Sequence, residues 1–292
     1  MAVAVSRGFG LGRPGWRANA DIVKTVIVSR LKIISRYKGM LVMEAMLPIL
    51  FAGFPLLLGF AIGGPNAAQN FQQNTGTTAD YKLYMLIGSC VFMVVTLMMW
   101  LIGYWVRREQ ETGTLESLYL APAKRFYVLA GVTTYAFLRS MIVFFIALLL
   151  GSLLFQVNPF AGNIGLALLF VAAGFFPLWG IGFIFGAFIL KIKEANSVIQ
   201  MVQWIVAFLM GIYYPITFFP SYLQYVAASF PPTIMNDGIR SSMLGIEYIF
   251  GSEWWVSFAL LLALSLFLPL LGYQIFMATE RRLKRKEGVG QY

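Results

Sequence analysis

Six long apolar runs dominate the 292-residue chain, at about Leu41–Ile62, Tyr84–Val106, Tyr127–Phe155, Ile164–Leu190, Val198–Phe219 and Trp254–Phe276. A helix needs about 20 apolar residues to cross the hydrocarbon core of a bilayer, and each run is long enough. A water-soluble core does not absorb such a chain. Hydrophobic residues make up 59% of it and charged residues 12%, against about 25% charged in soluble domains. The expected fold class is an all-α polytopic membrane protein with six transmembrane helices. Its expected divisions are a cytoplasmic N-terminal segment over 1–40, a six-span domain over 41–278 and a basic cytoplasmic tail over 279–292.

Charge sets the expected orientation. Of the 22 Lys and Arg residues, 19 fall in the N-terminal segment, the 107–126 loop, the KIKEAN loop at Lys191–Asn196 and the RRLKRKE tail. Only Lys82 and Arg240 fall on the opposite side, and Arg139 lies inside the third run. Lys and Arg favour the cytoplasmic face, so both termini are expected in the cytoplasm and the protein in the cell membrane. The net charge of +10 is then a topology signal, and nucleic-acid binding does not explain its partition. The first 20 residues contain no long apolar core, unlike a secretory signal peptide, so the first span is expected to remain in the mature protein.

Composition also removes chemistry. The chain has no His and one Cys. That excludes a disulfide within the chain, His-containing zinc sites and a His general base. Cys90 sits in an apolar run as a small packing residue. No G-x-x-x-x-G-K segment is present, so nucleotide hydrolysis through a P-loop is not expected here.

Two segments outside the runs carry pattern. Over Asp21–Gly39, Val23, Ile27, Leu31, Ile34 and Tyr37 recur on one helical face. Basic and polar residues lie mostly elsewhere, as in an interfacial amphipathic helix whose basic residues meet anionic headgroups. A plain positively charged flank is the simpler reading. The external segment Pro220–Glu253 holds an apolar stretch, Tyr222–Phe230, too short to cross, then Pro231–Pro232 and a possible second helix at Thr233–Leu244. Both suit re-entrant helices dipping in from outside, allowed where protein or water satisfies their backbone. Gly63–Tyr81 reads as a polar external loop.

The cytoplasmic stretch RREQETGTLESLYLAP, Arg107–Pro122, is the most specified loop of the chain. Thr114, or Thr112, can cap a helix. Glu116 falls in its first turn, where a carboxylate complements exposed amides. Gly113 permits a tight entry, and Pro122 limits the end. A helix of about two turns is marginal alone, so Leu115, Leu118 and Tyr119 need a surface to pack on. Glu109, Glu111 and Glu116 interrupt an otherwise basic face and suit a docking surface for another protein. A capped surface loop with routine ion pairs is the simpler alternative.

ETGTLESLYLAP resembles the E-x-G-T-L-E-x-L-x-x-(S/A)-P signature of ABC-2 type transporter permeases, and it stands between the second and third spans as in that family. The resemblance covers about Asp21–Arg282. It implies that Glu109, Glu111, Gly113, Thr114, Leu115, Glu116, Leu118 and Pro122 form a coupling helix on a separate ATPase subunit. It also implies two permeases with two ATPases, no catalysis or cofactor in this chain, and ATP with magnesium held by the partner. Lys191, Lys193 and Glu194 are a possible secondary contact. The family's external N-P-(L/I)-T…(L/V)-R segment is departed from here: FPPTIMNDGIR has Phe230 in place of the usual Asn, and Asp237 to Arg240 match loosely.

Within the spans, Arg139 lies 12 residues after Tyr127, about 18 Å along a helix. A buried arginine pairs, faces protein or lines a wet route. Contact with an anionic substrate and a structural pairing are both open readings. Glu44 is placed to pair with Arg36 or Lys38. Tyr213, Tyr214, Phe218, Phe219 and Tyr222 cluster at the external end of the fifth run, as an exit gate or as an interfacial belt. Gly174, Gly180, Gly182 and Gly186 permit close helix packing in the fourth. The leading functional expectation is the permease of an ATP-driven exporter of an amphipathic substrate: a lipid-linked glycan, a lipid or a hydrophobic drug. A homodimer is favoured. The alternatives are an ATP-independent channel or secondary transporter, a membrane enzyme, and an assembly scaffold.

Overall fold

The computed structural model of the chain describes residues 15–75, 79–111, 125–192 and 195–286. Among these residues there are ten α-helices and no β-strand. In chain order they are α1 (Gly15–Arg36), α2 (Lys38–Gly63), α3 (Ala67–Thr75), α4 (Tyr81–Glu111) and α5 (Arg125–Phe155), then α6 (Ile164–Ile189), α7 (Ala195–Leu209), α8 (Ser221–Ala228), α9 (Pro231–Leu244) and α10 (Trp254–Lys286).

Five helical stretches are long and apolar enough to cross a membrane: Lys38–Thr75, Tyr81–Val106, Phe126–Phe155, Ile164–Ile189 and Trp254–Arg282. The protein is thus a polytopic all-α membrane protein. Tyr81–Val106 is the most deeply buried of the five, so α4 is the centre of the bundle. It packs against α2, α5, α6, α7 and α9. Helices α2 and α10 leave at least half of their apolar residues exposed, among them Leu50, Phe54, Leu57, Leu266 and Leu270. In water that surface would be costly; in lipid it is the expected outer face.

Small residues set the closest crossings. A Cβ on Gly180 of α6 would overlap the backbone of α10 at Leu268, and one on Gly272 would meet the Gly180 carbonyl and Phe183. Gly174 faces Met235, Gly182 faces Ile102 and Thr133, and Gly186 faces Ile102 and Leu129. Gly174, Gly180, Gly182 and Gly186 therefore all lie against neighbouring helices, as small-residue packing in membranes requires. Cys90 is a free, buried thiol in α4.

Two segments differ from the sequence reading. The polar stretch after the first span is not a plain loop, because Ala67–Thr75 is helical and Phe71 packs its ring 5.7 Å from Tyr81 and 5.4 Å from Tyr84. The α-helix that enters the fifth run has only 15 residues, Ala195–Leu209, about 22 Å, and stops well before Phe219. Beyond it Gly211 adopts φ +56° and Pro215 precedes a short 3-10 turn at Ile216–Phe218. Arg240 lies in the second short helix that the sequence suggested, 3% exposed within α9.

Helix α1 leans on the bundle. Gly131 of α5 makes room for it, since a Cβ there would lie 2.9 Å from Val26. Ile34 is buried, Val23, Ile27 and Leu31 are half-buried, and Lys24, Lys32, Ser35 and Arg36 are exposed. Tyr37 departs from the expected stripe. It stands between α1 and α2, 65% exposed.

Candidate functional site

The C-terminal end of α4 and the N-terminal end of α5 bracket the segment that the sequence marks for docking. Glu109 and Glu111 belong to the last turns of α4. Gly113, Thr114, Leu115, Glu116, Leu118 and Pro122 lie outside the described residues, as do Lys193 and Glu194. What the structure supplies is the attachment. The segment is strung between the central helix and α5, which packs along it. At the other end the two helices are tied again: the Lys82 ammonium donates to the Phe155 carbonyl at 3.4 Å, placing a cation at the C-terminus of α5.

At the opposite end of the bundle from that segment, α7 stops short and α9 completes it. The last carbonyls of a helix have no partner within it. Here Thr233 Oγ1 donates to the Leu209 carbonyl at 3.2 Å and Asn236 Nδ2 to that of Met210 at 3.2 Å. Arg240 Nη1 donates to the Gly211 carbonyl at 2.9 Å, and Nη2 donates to that of Ile212. Thr233, Asn236 and Arg240 are spaced so that one face of α9 meets four consecutive carbonyls. The guanidinium also lies 3.8 Å over the Tyr84 ring and donates through Nε to the Tyr84 carbonyl at 3.2 Å. Arg240 therefore binds α9 both to α4 and to the chain beyond α7. Gly88 is what lets it fit: a Cβ there would overlap the guanidinium and the Ile212 carbonyl.

A cavity of about 620 Å³ adjoins this junction, lined by residues that include Tyr84, Tyr214, Asn236, Asp237, Arg240 and Glu247. Asp237 accepts the Ile249 amide at 2.8 Å. Helix α9 lies outside the five spanning stretches, and burial there pushes the Asp237 carboxyl up to about 7, against the opposing pull of the Ile249 amide and Arg240. The sequence reading missed this cluster. Its signal was Asp237 and Arg240 at a spacing of three in a helix short of charges, which places both on neighbouring turns.

The aromatic candidates separate. Phe219 is buried, with its ring 4.7 Å from Phe208 and 5.5 Å from Tyr214. Tyr214 donates its hydroxyl to the Phe208 carbonyl at 3.3 Å. Tyr213 is half-buried, while Phe218 and Tyr222 are 55% and 68% exposed.

Arg139 lies apart from them, 6% exposed. Its Nε donates to Glu44 Oε2 at 3.1 Å, its Nη2 to Glu44 Oε1 and its Nη1 to the Tyr135 hydroxyl at 3.3 Å. The partner of Glu44 is thus Arg139 across the bundle, where the sequence suggested its neighbours Arg36 or Lys38. Two ions inside a low-dielectric bundle neutralise each other best in such a forked geometry.

Among the described residues no group of three or more His, Cys, Asp or Glu is placed to hold a metal ion. No curated protein matches the chain. Residues 23–244, from α1 to the end of α9, match the ABC-2 type transporter family. With its several spanning helices, the chain belongs to that family as a membrane-embedded, non-catalytic transport subunit.

Proposed function

We propose that this chain is the permease of an ATP-driven exporter that moves an amphipathic substrate, such as a lipid-linked glycan, a lipid or a hydrophobic drug, across the cell membrane. Family membership implies an ABC ATPase partner. The proposed assembly has two copies of this chain and two ATPases, with ATP and magnesium bound by the ATPases. In this reading α7 and the residues after it complete a sixth crossing, and both termini lie in the cytoplasm.

One observation carries the reading: the segment Arg107–Pro122, with its three Glu residues and its sequence signals for a capped helix, joins the central helix α4 to α5. Force applied there by a closing ATPase would act on the element that most of the bundle touches. Glu109, Glu111 and Glu116 give the segment a charge unlike its basic surroundings, which suits register on a partner. Thr114, Gly113 and Pro122 set the ends of a stiff element, and Leu115 and Leu118 its contact face. At the outer end Tyr213, Tyr214, Phe218, Phe219 and Tyr222 are proposed to flank the exit, next to the junction that α9 makes with α7.

The test is reconstitution of the chain with an ABC ATPase in vesicles, reading ATP-dependent movement of fluorescent lipid, glycolipid and drug probes. ATP-dependent export of one class supports the reading. Solute flux that ignores ATP and the ATPase would make the chain a channel or secondary transporter.

A further inference from the structure

Beside the contact between α1 and Gly131 lies a cavity of about 600 Å³. Val23 and Ile27 of α1, Phe126 and Ala130 of α5, and Trp179 of α6 form its apolar walls. The indole N–H of Trp179 is already engaged, donating to the Ala130 carbonyl at 3.4 Å. Such walls offer water little, and an apolar cavity is dry or filled by hydrocarbon. Asn19 and Lys24 of α1 also line it, and Lys24 is exposed.

Its place in the bilayer follows from the helices. Phe126 and Tyr127 open α5 directly after the charged 107–125 segment, and α1 leads into the first span. Both mark the face that carries 19 of the 22 basic residues. Trp179 lies ten residues before the end of α6, about 15 Å along the helix. Its indole nonetheless bonds Ala130, about one turn inside the start of α5, and its ring lies 6.3 Å from Phe126, so α6 runs on past the start of α5 and the cavity lies in the outer part of the basic-side leaflet.

We propose that this cavity holds one acyl chain of an anionic phospholipid from the basic-side leaflet, with its headgroup phosphate on Lys24 and Asn19. The lipid is a resident that seats α1 on the bundle. A soluble anion would leave the walls unfilled, and a lipid without net negative charge gains less from the basic surroundings of Lys24. Gly131 fixes α1 close enough to α5 to close one side of the cavity, so the lipid completes the packing between α1 and α6.

The experiment uses the full-length chain in nanodiscs of equal phosphatidylglycerol and phosphatidylcholine with identical acyl chains. Mild detergent then removes loosely held lipid, and native mass spectrometry counts what stays. The expected result is about one phosphatidylglycerol per chain, enriched about fivefold over phosphatidylcholine. Lys24→Glu, at an exposed position, should bring the ratio back to that of the bulk. Ala20→Phe and Ala130→Leu, which reduce the space, should lower retention of both lipids. Phosphatidylglycerol should raise the melting temperature of the unmodified protein and not of Lys24→Glu, while inorganic phosphate alone should leave it unmoved. A retained pool that mirrors the bulk, variants that hold lipid as the unmodified protein does, or an equal shift from inorganic phosphate would each overturn the proposal.

Discussion

Arg139 of α5 and Glu44 of α2 form a forked ion pair inside the bundle, with the two side chains 7% and 14% exposed. The pair joins the first and third spanning helices at a depth where neither ion has much water. Removing one partner leaves the other charged and buried, which costs about 3–5 kcal/mol. Replacing both with apolar or neutral side chains of similar volume costs far less. Arg139→Ala is therefore expected to lower the melting temperature in detergent strongly, and Arg139→Met with Glu44→Gln to recover most of the loss. A double variant as unstable as the single would mean that something other than the pairing matters there.

Arg240 closes the junction of α9 with α4 and the chain beyond α7 through its carbonyl partners on Tyr84, Gly211 and Ile212. Arg240→Lys keeps the charge but has no planar fork to reach separate acceptors. Each buried carbonyl left without a donor costs about 1–3 kcal/mol. Both Arg240→Lys and Arg240→Ala are expected to destabilise the protein and to expose the Gly211–Pro220 segment to limited proteolysis. Gly88→Ala should reproduce the effect by displacing the guanidinium, without touching Arg240 itself. Cleavage unchanged in all three variants would remove the junction's role in holding that segment.

Asp237 gives a pH dependence with a definite sign. Its folded-state carboxyl is pushed up to about 7 by burial, above an unfolded value of about 3.9. The folded state then binds the extra proton between these values, so this group's contribution to stability falls as pH rises from about 4 to about 7. The groups facing or sharing its surroundings are Arg240, Tyr84 and Glu247, with the Ile249 amide as its donor. Asp237→Asn keeps an acceptor for Ile249 and cannot ionise. The melting temperature of Asp237→Asn relative to the unmodified protein should rise between pH 5 and pH 8. A flat difference over that range would mean that the carboxyl titrates as it does in the unfolded chain.

The spans were legible because transfer from water to lipid is nearly a residue-by-residue property. The close crossings at Gly174, Gly180, Gly182 and Gly186 were legible for a related reason, since the missing side chain is itself the signal. The shortening of the fifth run was not. Apolar length alone favoured a full span, whereas Gly211, Pro215 and donors supplied from Thr233, Asn236 and Arg240 end the helix at Leu209. The donors among them stand more than twenty positions away. Glu44 shows the same limit: its sequence neighbours Arg36 and Lys38 looked sufficient, and its partner stands 95 residues on. Gln, Asn and Thr made Gly63–Tyr81 read as a loop, and packing of Phe71 against two tyrosines favours the helix. Of the docking segment, the flanking helices were legible, and the residues from Gly113 to Pro122 stand as sequence expectations.

The most direct measurement is the subunit mass and ATP hydrolysis of the chain co-purified with an ABC ATPase, beside Glu111→Lys/Glu116→Lys. The expected result is a complex of two permeases and two ATPases in the unmodified protein. In the double reversal, assembly should weaken or hydrolysis should lose its response to the permease, with the melting temperature of the chain alone unchanged. Absence of any associated ATPase, or a reversal that alters neither assembly nor hydrolysis, would contradict the assignment of Arg107–Pro122 as the coupling element.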